Sequence, residues 1–535
     1  MRNERRTADS GDQAAVIAFL ADPSSYPGVS QVDRLETHGN LVFLAGEDAW
    51  KIKRAVSFPY MDFSTLEKRR VACEREVEVN RRFAPDLYFG CVPIVRTGKG
   101  TFAFGGDGDI VDWAVHMRRF DQAALLSSIA AADGIDADLA KAMADAVYDS
   151  HRGAPSVTTV SGSAQIADLV GSICGSLARS DAFASQDTDR LSPHAHEQLA
   201  RASATLDRRA DSGCVRRCHG DLHLANIVLW HGRPTLFDAI EFDEKIATID
   251  TLYDLAFLLM DLRRYGQARA ANVVLNRYLW RSQNDLDLTG LQALPLFIGL
   301  RAGVRAMVMV DRATQEDRRV AEQDRELARA YLRAGLEYFA PSPPQLIAVG
   351  GLSGTGKSTL AAALAPDLDP APGAVHLRSD LERKTMFGVA ETVRLPAEAY
   401  SAEASRSVYD RLCRKARLVL AAGQSVVVDA VHARPDERSA IEGVASDLKV
   451  PFRGLWLTAA GDELTARVAA RHNDASDATP EFVARQLTWD TGALSPAWTT
   501  LDASAGPDET LRRTMAMLGL DPTGRSRQDR DREAP

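Results

Sequence analysis

Apolar and polar positions divide the chain into a first part of mixed periodicity and a last part in which strands alternate with helices. The apolar runs 41–44 and 49–53 flank a Gly-Glu-Asp turn and predict a pair of strands. Residues 64–83 have a helical pattern, with Ser64 as the expected N-cap and Glu67 three residues later. Residues 110–120 predict a further strand. From about 122 to 338 the pattern is mostly helical, so a small mixed lobe is expected to precede a helical lobe.

Three prolines between residues 341 and 344 end the preceding helix and favour an extended linker. After them, strands are predicted at 346–349, 374–378, 425–429 and 452–457, with a first helix at 357–365. Strands that alternate with helices indicate a parallel sheet with helices on both faces. The predicted organisation is therefore an N-terminal segment at 1–29, a two-lobed domain at 30–338 with a small lobe to about 120, a linker at 339–345, an α/β domain at 346–520 and a disordered tail at 521–535.

Composition narrows the class of protein. The 535 residues are 45% hydrophobic and 26% charged, as in ordinary globular proteins, which excludes wholesale disorder and collagen. The net charge of −9 argues against nucleic acid as the main partner. Six cysteines are too few for a disulfide scaffold, and neither a secretory leader nor a run of about 18 apolar residues is visible. We therefore expect a cytoplasmic protein without a membrane or nucleic-acid partner; the oligomeric state is left open.

The first group of candidate chemical residues lies between 218 and 238. Phosphoryl transfer requires a carboxylate that orients and deprotonates a hydroxyl, together with oxygen ligands for Mg²⁺. Asp221 suits the first role, and Asn226 and Asp238 suit the second because Mg²⁺ prefers hard oxygen donors. His219, Asp221 and Asn226 have the H-x-D-x4-N spacing of the protein-kinase catalytic loop.

On these residues, positions 30–338 resemble the aminoglycoside phosphotransferase-like family, a branch of the protein-kinase-like fold that also includes choline kinases. That family carries H-G-D-x-H-x-x-N followed by an apolar strand that ends in Asp. The resemblance implies that Asp221 is the catalytic base and that Asn226 and Asp238 bind Mg²⁺. It implies that His219 braces the loop by hydrogen bonding.

A kinase-like small lobe also needs a strand lysine on the phosphates and a helix glutamate that holds it. Lys51 and Lys53 lie two apart on one strand and therefore on one face. Lys53 is preferred slightly because its tetrapeptide ends like V-A-I-K, but both remain candidates. Glu76 is the matching helix acid. Glu241 is a candidate further group on the metal side, and Asp254 is expected to hold the fold.

A second group begins at residue 351, where eight residues match G-x-x-x-x-G-K-[ST] between a predicted strand and a predicted helix. Backbone N–H groups of such a loop surround phosphates, and the helix N-terminus adds partial positive charge. Lys357 is expected to reach the β- and γ-phosphates, and Ser358 to bind Mg²⁺. The predicted phosphate-binding residues are Gly351, Ser353, Gly354, Thr355, Gly356, Lys357 and Ser358.

Other residues indicate what this second domain does. Asp429 ends an apolar strand and is a candidate metal ligand of the Walker B type. Asp380 is either a base for a substrate hydroxyl or a helix-capping residue. Arg467 and Arg471 either neutralise the transferring phosphoryl group from a lid or lie on a solvated helix face. Residues 345–520 resemble small P-loop kinases such as gluconate kinase and chloramphenicol phosphotransferase and, more distantly, zeta toxins.

The predicted fold class is thus α/β plus α+β, a two-lobed protein-kinase-like domain followed by a P-loop parallel-sheet domain. The arrangement resembles bacterial fused proteins that join these two domains. It implies a phosphotransferase that uses ATP and Mg²⁺ on a small-molecule hydroxyl acceptor. The alternatives are a nucleotide-gated regulatory protein, a zeta-toxin-like kinase in which only the P-loop domain is active, and a polynucleotide kinase, which the acidic balance disfavours. Sequence does not identify the acceptor or any coupling between the domains.

Overall fold

A computed structural model of the chain describes residues 10–37, 39–58, 61–314, 318–340, 342–471 and 474–520. The chain forms two compact units, neither of which is continuous in sequence. Unit 1 consists of Met1–Ser192, Leu206–Gln267 and Leu300–Gly335, and unit 2 of Pro193–Thr205, Ala268–Gly299 and Leu336–Pro535. The predicted tail at 521–535 lies outside the described residues.

The small lobe of unit 1 is an antiparallel sheet of six strands in the order β1-β2-β3-β8-β6-β7. The predicted hairpin is confirmed, with Phe43 opposite Trp50. The helix α2 begins later than predicted: its N-cap is Thr65, not Ser64, because Ser64 lies in a turn where its N–H donates to Asp62. The elements are α1 (Ser10–Ala21), β1 (Val32–Glu36), β2 (Asn40–Ala45), β3 (Asp48–Lys53), β4 (Ser57–Phe58), β5 (Met61–Asp62), α2 (Leu66–Asn80), β6 (Tyr88–Arg96), β7 (Phe102–Phe104) and β8 (Asp109–Arg118).

The alternation of residues along β3 assigns its two faces to different cores. Trp50 and Ile52 pack with Val16 and Leu20 of α1. Ala49 faces the opposite side, in the core that includes residues of α2. Because successive side chains of a strand point to opposite faces, both lysines of β3 also face α2. Residues that precede position 30 are therefore part of the small-lobe core.

The rest of the first 340 residues is mainly helical, as predicted. The short apolar runs after residue 214 form two antiparallel pairs, β10 with β11 and β9 with β12. An antiparallel sheet with one helix is thus followed by a helical lobe, the order of lobes expected from the sequence. The elements are α3 (Leu126–Ala132), α4 (Ala137–Gly153), α5 (Gly162–Ala178), α6 (Ser185–Asp211), β9 (Val215–Arg217), β10 (Ile227–Trp230), β11 (Arg233–Leu236), α7 (Glu244–Ala247), β12 (Thr248–Asp250), α8 (Thr251–Arg264), α9 (Ala268–Ser282), α10 (Asp285–Gly290), α11 (Leu294–Ala313) and α12 (Arg318–Phe339).

One helical segment of the described chain, Asp285–Ala313, is long and apolar enough to cross a membrane by length and composition. Its most apolar window has a mean hydropathy of 1.6, and 67% of that window is buried inside the protein. A helix that is apolar on most sides is also typical of a protein core.

Unit 2 is built on a five-stranded sheet in the order β14-β15-β13-β16-β17, in which every pairing is parallel. The four predicted strands are confirmed. The fifth, β17, was not predicted because only Trp498 and Leu501 are buried in it, a spacing that does not alternate. The elements are β13 (Leu346–Gly350), α13 (Lys357–Leu364), β14 (Val375–Arg378), α14 (Ser379–Met386), α15 (Ala402–Ala421), β15 (Val426–Asp429), α16 (Pro435–Leu448), β16 (Phe452–Thr458), α17 (Gly461–Ala469), α18 (Pro480–Gln486), β17 (Trp498–Asp502) and α19 (Pro507–Leu518).

Helix α9 explains why unit 2 includes chain from before the predicted linker. Strand β14 is at the edge of the sheet. Side chains of α9 form hydrogen bonds with backbone groups on its open side. The Asn276 Oδ1 atom accepts from the His376 N–H at 2.7 Å, and Asn272 Nδ2 donates to the Ala374 carbonyl at 3.0 Å. Covering an edge in this way prevents unwanted strand pairing. The predicted domain limits themselves stay a prediction.

Candidate active sites

The first candidate site lies in unit 1, in the loop between β9 and β10. A short 3₁₀ turn at Leu224–Asn226 brings Asn226 back onto Asp221. The Asn226 amide nitrogen donates to the Asp221 carbonyl at 2.9 Å and to its carboxylate at 3.0 Å. The Asp221 side chain remains 37% exposed, with His223 Nε2 at 3.3 Å. The carboxylate is thus held in place but open to an acceptor.

Electrostatics keeps this carboxylate ionised. Burial by itself raises the pKa of Asp221, but the nearby charge of His223, its hydrogen bond and the charge of Arg305 together hold that pKa below its ordinary value. Asp221 is therefore charged at neutral pH and can accept a hydrogen bond from an acceptor hydroxyl.

Two buried residues brace the loop. The His219 side chain is fully buried, and its Nε2 atom lies 2.9 Å from the Phe237 carbonyl. Asp254, from α8, accepts from the backbone N–H groups of His219 at 3.2 Å and Gly220 at 2.9 Å. His219 therefore ties the loop to Phe237, and Asp254 ties it to α8.

Asp238 follows β11 and has a strained backbone. Its φ is +58°, a left-handed conformation that is uncommon for residues other than glycine and that clusters at functional sites. Its N–H donates to the Tyr88 hydroxyl at 3.1 Å. The side chain is 40% exposed, and Lys51 Nζ lies 2.5 Å from Oδ1. The tertiary fold therefore brings the small-lobe strand and the metal-ligand candidate together.

The two lysines of β3 have different surroundings. Lys51 Nζ lies 2.8 Å from Glu76 and also contacts Asp238. Lys53 is completely buried, with Nζ 2.5 Å from Glu76 and paired on its other side with Glu241. Lys51 thus contacts the candidate metal ligand Asp238, whereas Lys53 is enclosed between Glu76 and Glu241. The geometry favours Lys51 as the phosphate lysine, against the preference for Lys53 drawn from the sequence.

Charges in this cluster offset the cost of burial unequally. Burial opposes ionisation of Glu76, but the two lysines lower its pKa to about 2. Burial raises the pKa of Glu241 above its ordinary value, although Lys53 acts in the opposite direction. Burial also works against the Lys51 ammonium, yet Asp238 and Glu76 raise its pKa well above normal. Lys51 therefore stays charged where it would meet a phosphate.

The second candidate site is the glycine loop between β13 and α13 in unit 2. Gly354 has a φ of +90°, and a Cβ atom there would lie 2.6 Å from the Leu464 carbonyl oxygen, so only glycine fits. The Ser353 N–H donates to the Gln486 side chain at 2.8 Å. Lys357 Nζ donates to the Leu352 carbonyl at 3.0 Å. The other predicted loop residues, Gly351, Thr355, Gly356 and Ser358, complete the loop and the first turn of α13.

Asp429 ends β15 beside this loop. It is in register with Val349 on β13 and Arg378 on β14, so the ends of three strands meet at one level. Asp429 is 3% exposed, and its Oδ2 atom lies 3.6 Å from His376 Nε2. Burial opposes its ionisation, but the contact with His376 and nearby positive charges lower the pKa of Asp429 to about 2. An ionised carboxylate at this position suits a metal ligand.

Asp380 lies in the first turn of α14, where the N-cap residue is Arg378. The helix-capping alternative for Asp380 therefore does not hold. Burial, followed by repulsion from Asp429, raises the pKa of Asp380, while the charges of Arg378 and Lys357 oppose the rise. A carboxylate with a raised pKa near a phosphate loop is a reasonable proton acceptor.

The two candidate lid arginines differ. Arg467 on α17 pairs with Glu463 and donates to the Ala503 carbonyl at 2.8 Å, so backbone outside the glycine loop holds it. Arg471 pairs with Asp474 at 3.7 Å, and its charge is one of those acting on Lys357. The structure therefore brings Arg471, and not Arg467, into the electrostatic range of the loop.

Comparison with known proteins places the chain in a family. A family model described as "AAA domain" matches residues 346–490, in agreement with the predicted P-loop domain. The uncharacterized protein Rv2004c of Mycobacterium tuberculosis (strain ATCC 25618 / H37Rv) is 31% identical over 475 residues, which cover 86% of this chain and 91% of that protein. The chain belongs to the family of this mycobacterial protein. With that coverage, the family extends over both units.

Solved structures also resemble this family member. The GDP complex of aminoglycoside 2'-phosphotransferase-IIIa aligns with a TM-score of 0.38 and 13% identity, covering 61% of this chain and 99% of that one. A sugar kinase from Janibacter sp. HTCC2649 aligns with a TM-score of 0.27 and 19% identity, covering 34% and 99%.

Three residues contact the two sites although no pattern in the sequence assigned them there. Tyr88 binds the backbone of Asp238 from β6, 150 residues away in sequence. Gln486 binds the glycine loop from α18, 133 residues after Ser353. His432, with φ +50°, is almost fully buried near Asp429 and Lys357, and their charges act on it. Only the tertiary fold connects such distant positions.

Proposed function

We propose that the protein is an ATP-dependent phosphotransferase that transfers the γ-phosphate of ATP to a hydroxyl of a small molecule. One observation carries the proposal: Lys51, Glu76 and Asp238 converge in unit 1 from a strand, a helix and a loop. Asp221 and Asn226 form a second bonded pair in the catalytic loop. Kinase-like phosphoryl transfer uses this set of groups.

In unit 1, Asp221 would orient the acceptor hydroxyl and take its proton as the new O–P bond forms and the bond between the γ-phosphorus and the β-phosphate oxygen breaks, which releases ADP. Lys51 would bind phosphate oxygens, held by Glu76. Asn226 Oδ1 and Asp238 Oδ2 make no hydrogen bond with the described residues, so each offers an oxygen that fits a magnesium ion. Bound Mg²⁺ would neutralise charge on the phosphates.

In unit 2, we propose a second Mg·ATP site. The loop N–H groups and Lys357 would bind the phosphates, with Ser358 and Asp429 on the metal side. Asp380 is the proposed proton acceptor there, and Arg471 a proposed phosphate-side cation. Use of ATP by both units, the cytoplasmic location and the exclusion of nucleic-acid and membrane partners are predictions from the sequence.

The experiment measures acceptor-dependent ADP release by the full chain, with a panel of hydroxyl compounds and a blank without acceptor. To isolate unit 1, every protein carries Lys357→Ala. In that background, we expect Asp221→Asn to lower kcat by about 10²- to 10⁴-fold, since a positioned base contributes that much. Equal turnover with and without Asp221→Asn would remove unit 1 from the catalytic proposal.

A second candidate is a nucleotide-gated regulatory protein, which would bind nucleotide without phosphorylating a metabolite. The ion pair between Lys51 and Asp238 favours it, because that contact occupies both the phosphate lysine and a metal ligand. In that case unit 1 would show no turnover with any acceptor in the Lys357→Ala background. A toxin-like kinase would instead impair growth on expression, and Lys357→Ala would abolish that effect.

A further inference from the structure

Arg305 on α11 lies beside the catalytic loop of unit 1. Arg301, one helical turn earlier, donates to the Gly220 carbonyl at 3.0 Å and to the Tyr253 carbonyl at 3.1 Å. Residues four apart on a helix share a face, so Arg305 lies on the face that α11 turns toward this loop. Its charge also acts on the Asp221 carboxylate. Arg305 is therefore near the candidate base.

The two arginines of this face differ in what they bind. Arg301 is 3% exposed, and its guanidinium lies over the rings of Tyr253 at 3.8 Å and Phe257 at 4.7 Å, so it is committed to the fold. Arg305 is partly exposed and makes no ion pair with a carboxylate in the described chain. A half-desolvated guanidinium without a carboxylate partner is well suited to bind an anion.

Tyr331 lies beside Arg305, and Arg264 lies beside Tyr331. The Tyr331 side chain is 3% exposed, and its hydroxyl lies next to the Arg305 guanidinium. The exposed Arg264 lies 5.6 Å from the Tyr331 ring. Asp261, whose charge acts on Tyr331, is already occupied, since it pairs with Arg264 at 3.4 Å and accepts from the Leu224 N–H at 2.9 Å.

We propose that the acceptor phosphorylated in unit 1 carries an anionic group, a carboxylate or a phosphate, that Arg305 binds together with Arg264 and Tyr331. A guanidinium binds two oxygens of such a group in one plane, which would position the acceptor hydroxyl against Asp221. A cationic acceptor, such as an aminoglycoside or choline, would meet like charge here. This inference rests on the proposed phosphotransferase function and specifies its substrate class.

The first test is binding to the full chain with Mg·ADP, measured by calorimetry. The probes are matched pairs, glycerate with glycerol, gluconate with sorbitol, and glucose 6-phosphate with glucose, together with choline and kanamycin. We expect an acidic member to bind more tightly than its neutral partner, and Arg305→Gln to weaken that binding by about 10- to 100-fold, the loss typical of a charge-assisted contact. Arg305→Lys should restore part of it. The control Arg333→Gln removes an exposed charge from α12 and should change nothing.

The second test is turnover of the bound acid in the Lys357→Ala background. We expect Arg305→Gln to raise KM with a smaller effect on kcat, because the arginine binds the acceptor at a distance from the transferred group. A merely structural role would lower kcat and stability together, without rescue by lysine.

The outcomes separate the two proposals. The proposal of an anionic acceptor is overturned if no acid binds, or if Arg305→Gln leaves the binding of acids unchanged. An acid that binds only in unit 2 would give the second result. If neutral or cationic acceptors are phosphorylated equally well by Arg305→Gln, the substrate class is wrong while phosphotransfer stands. If acids bind through Arg305 but release no ADP, the anion site stands and the phosphotransferase function fails.

Discussion

The two candidate sites are assembled in opposite ways. In unit 2, most of the site is one continuous loop, residues 351–358, whose own backbone would contact the phosphates. In unit 1, the contact between Lys51 and Asp238 joins residues 187 positions apart, and Glu76 comes from a third element. A local site depends on loop conformation, whereas a dispersed site depends on the packing of whole elements.

The lysines of the two sites also differ in how their charges are compensated. Lys51 and Lys53 are both paired with carboxylates, so their charges are neutralised within the protein. Lys357 donates to the Leu352 carbonyl and forms no ion pair with the described carboxylates, and burial lowers its pKa. Phosphate would therefore complete the surroundings of Lys357 but would have to compete with Asp238 for Lys51.

The largest expected effect would come from Lys53→Met. Removing this fully buried lysine leaves Glu76 and Glu241 without part of their compensation, so we expect unit 1 to lose about 3–5 kcal/mol of stability. Lys51→Met should cost less stability, because Asp238 is partly exposed, but should weaken nucleotide binding. Hydrogen exchange of peptides spanning 48–53 and 66–80 measures the first effect. Equal losses for both variants would contradict the different roles assigned to the two lysines.

For the local site, Lys357→Ala should weaken Mg·ATP binding in unit 2 by about 10- to 150-fold, the loss of a charge-assisted contact, and leave unit 1 unchanged. Calorimetric titration of the full chain should then show one strong site where the wild type shows two. The matched variant Lys51→Met should affect the other site. If the wild type bound only one nucleotide, the proposal that each unit has its own Mg·ATP site would be wrong.

A smaller effect should follow from Asn276→Ala in α9. The change leaves the His376 N–H on the edge of β14 without its acceptor, which costs about 1–3 kcal/mol for a buried donor. We expect faster hydrogen exchange in residues 374–380 and a lower unfolding midpoint for unit 2. The control Arg269→Ala, at an exposed position of the same helix, should behave as wild type. If the two variants matched, α9 would not support the sheet edge.

The smallest effect concerns pH. Burial lowers the pKa of His432 to about 3, with Lys357 and Arg438 acting in the same direction and Asp429 against them. Since the unfolded side chain has a pKa of about 6.5, the unfolded state binds more protons below that value. Stability of unit 2 should therefore fall by about 1.4 kcal/mol between pH 7.5 and 5.5 from this residue alone.

His432→Asn tests this, because asparagine does not titrate and tolerates the left-handed φ of +50°. The pH dependence of urea unfolding should become flatter in this variant. The control His231→Asn changes an exposed histidine with a similar φ of +48° and should leave the dependence unaltered. An unchanged slope in His432→Asn would contradict the assignment.

Sequence alone predicted the elements whose signals are local. Phe43 opposite Trp50 follows from alternation around a turn, and the strand before Gly351 and the helix after Gly356 follow from an apolar run and a glycine motif. The spacing of Asp221 and Asn226 likewise indicated one short loop, in which the two side chains are in fact bonded. Strand β17 escaped prediction because its two buried residues do not alternate.

Tertiary structure alone decided which distant groups meet. Lys51 and Lys53 have the same periodicity and chemistry, yet Lys51 contacts Asp238 and Lys53 contacts Glu241, because the segment after β11 meets β3 at two different positions. The same holds for Gln486 on the glycine loop and for Arg305 near Asp221. Local periodicity determines which face a side chain takes, whereas its partner is set by the packing of elements far apart in the chain.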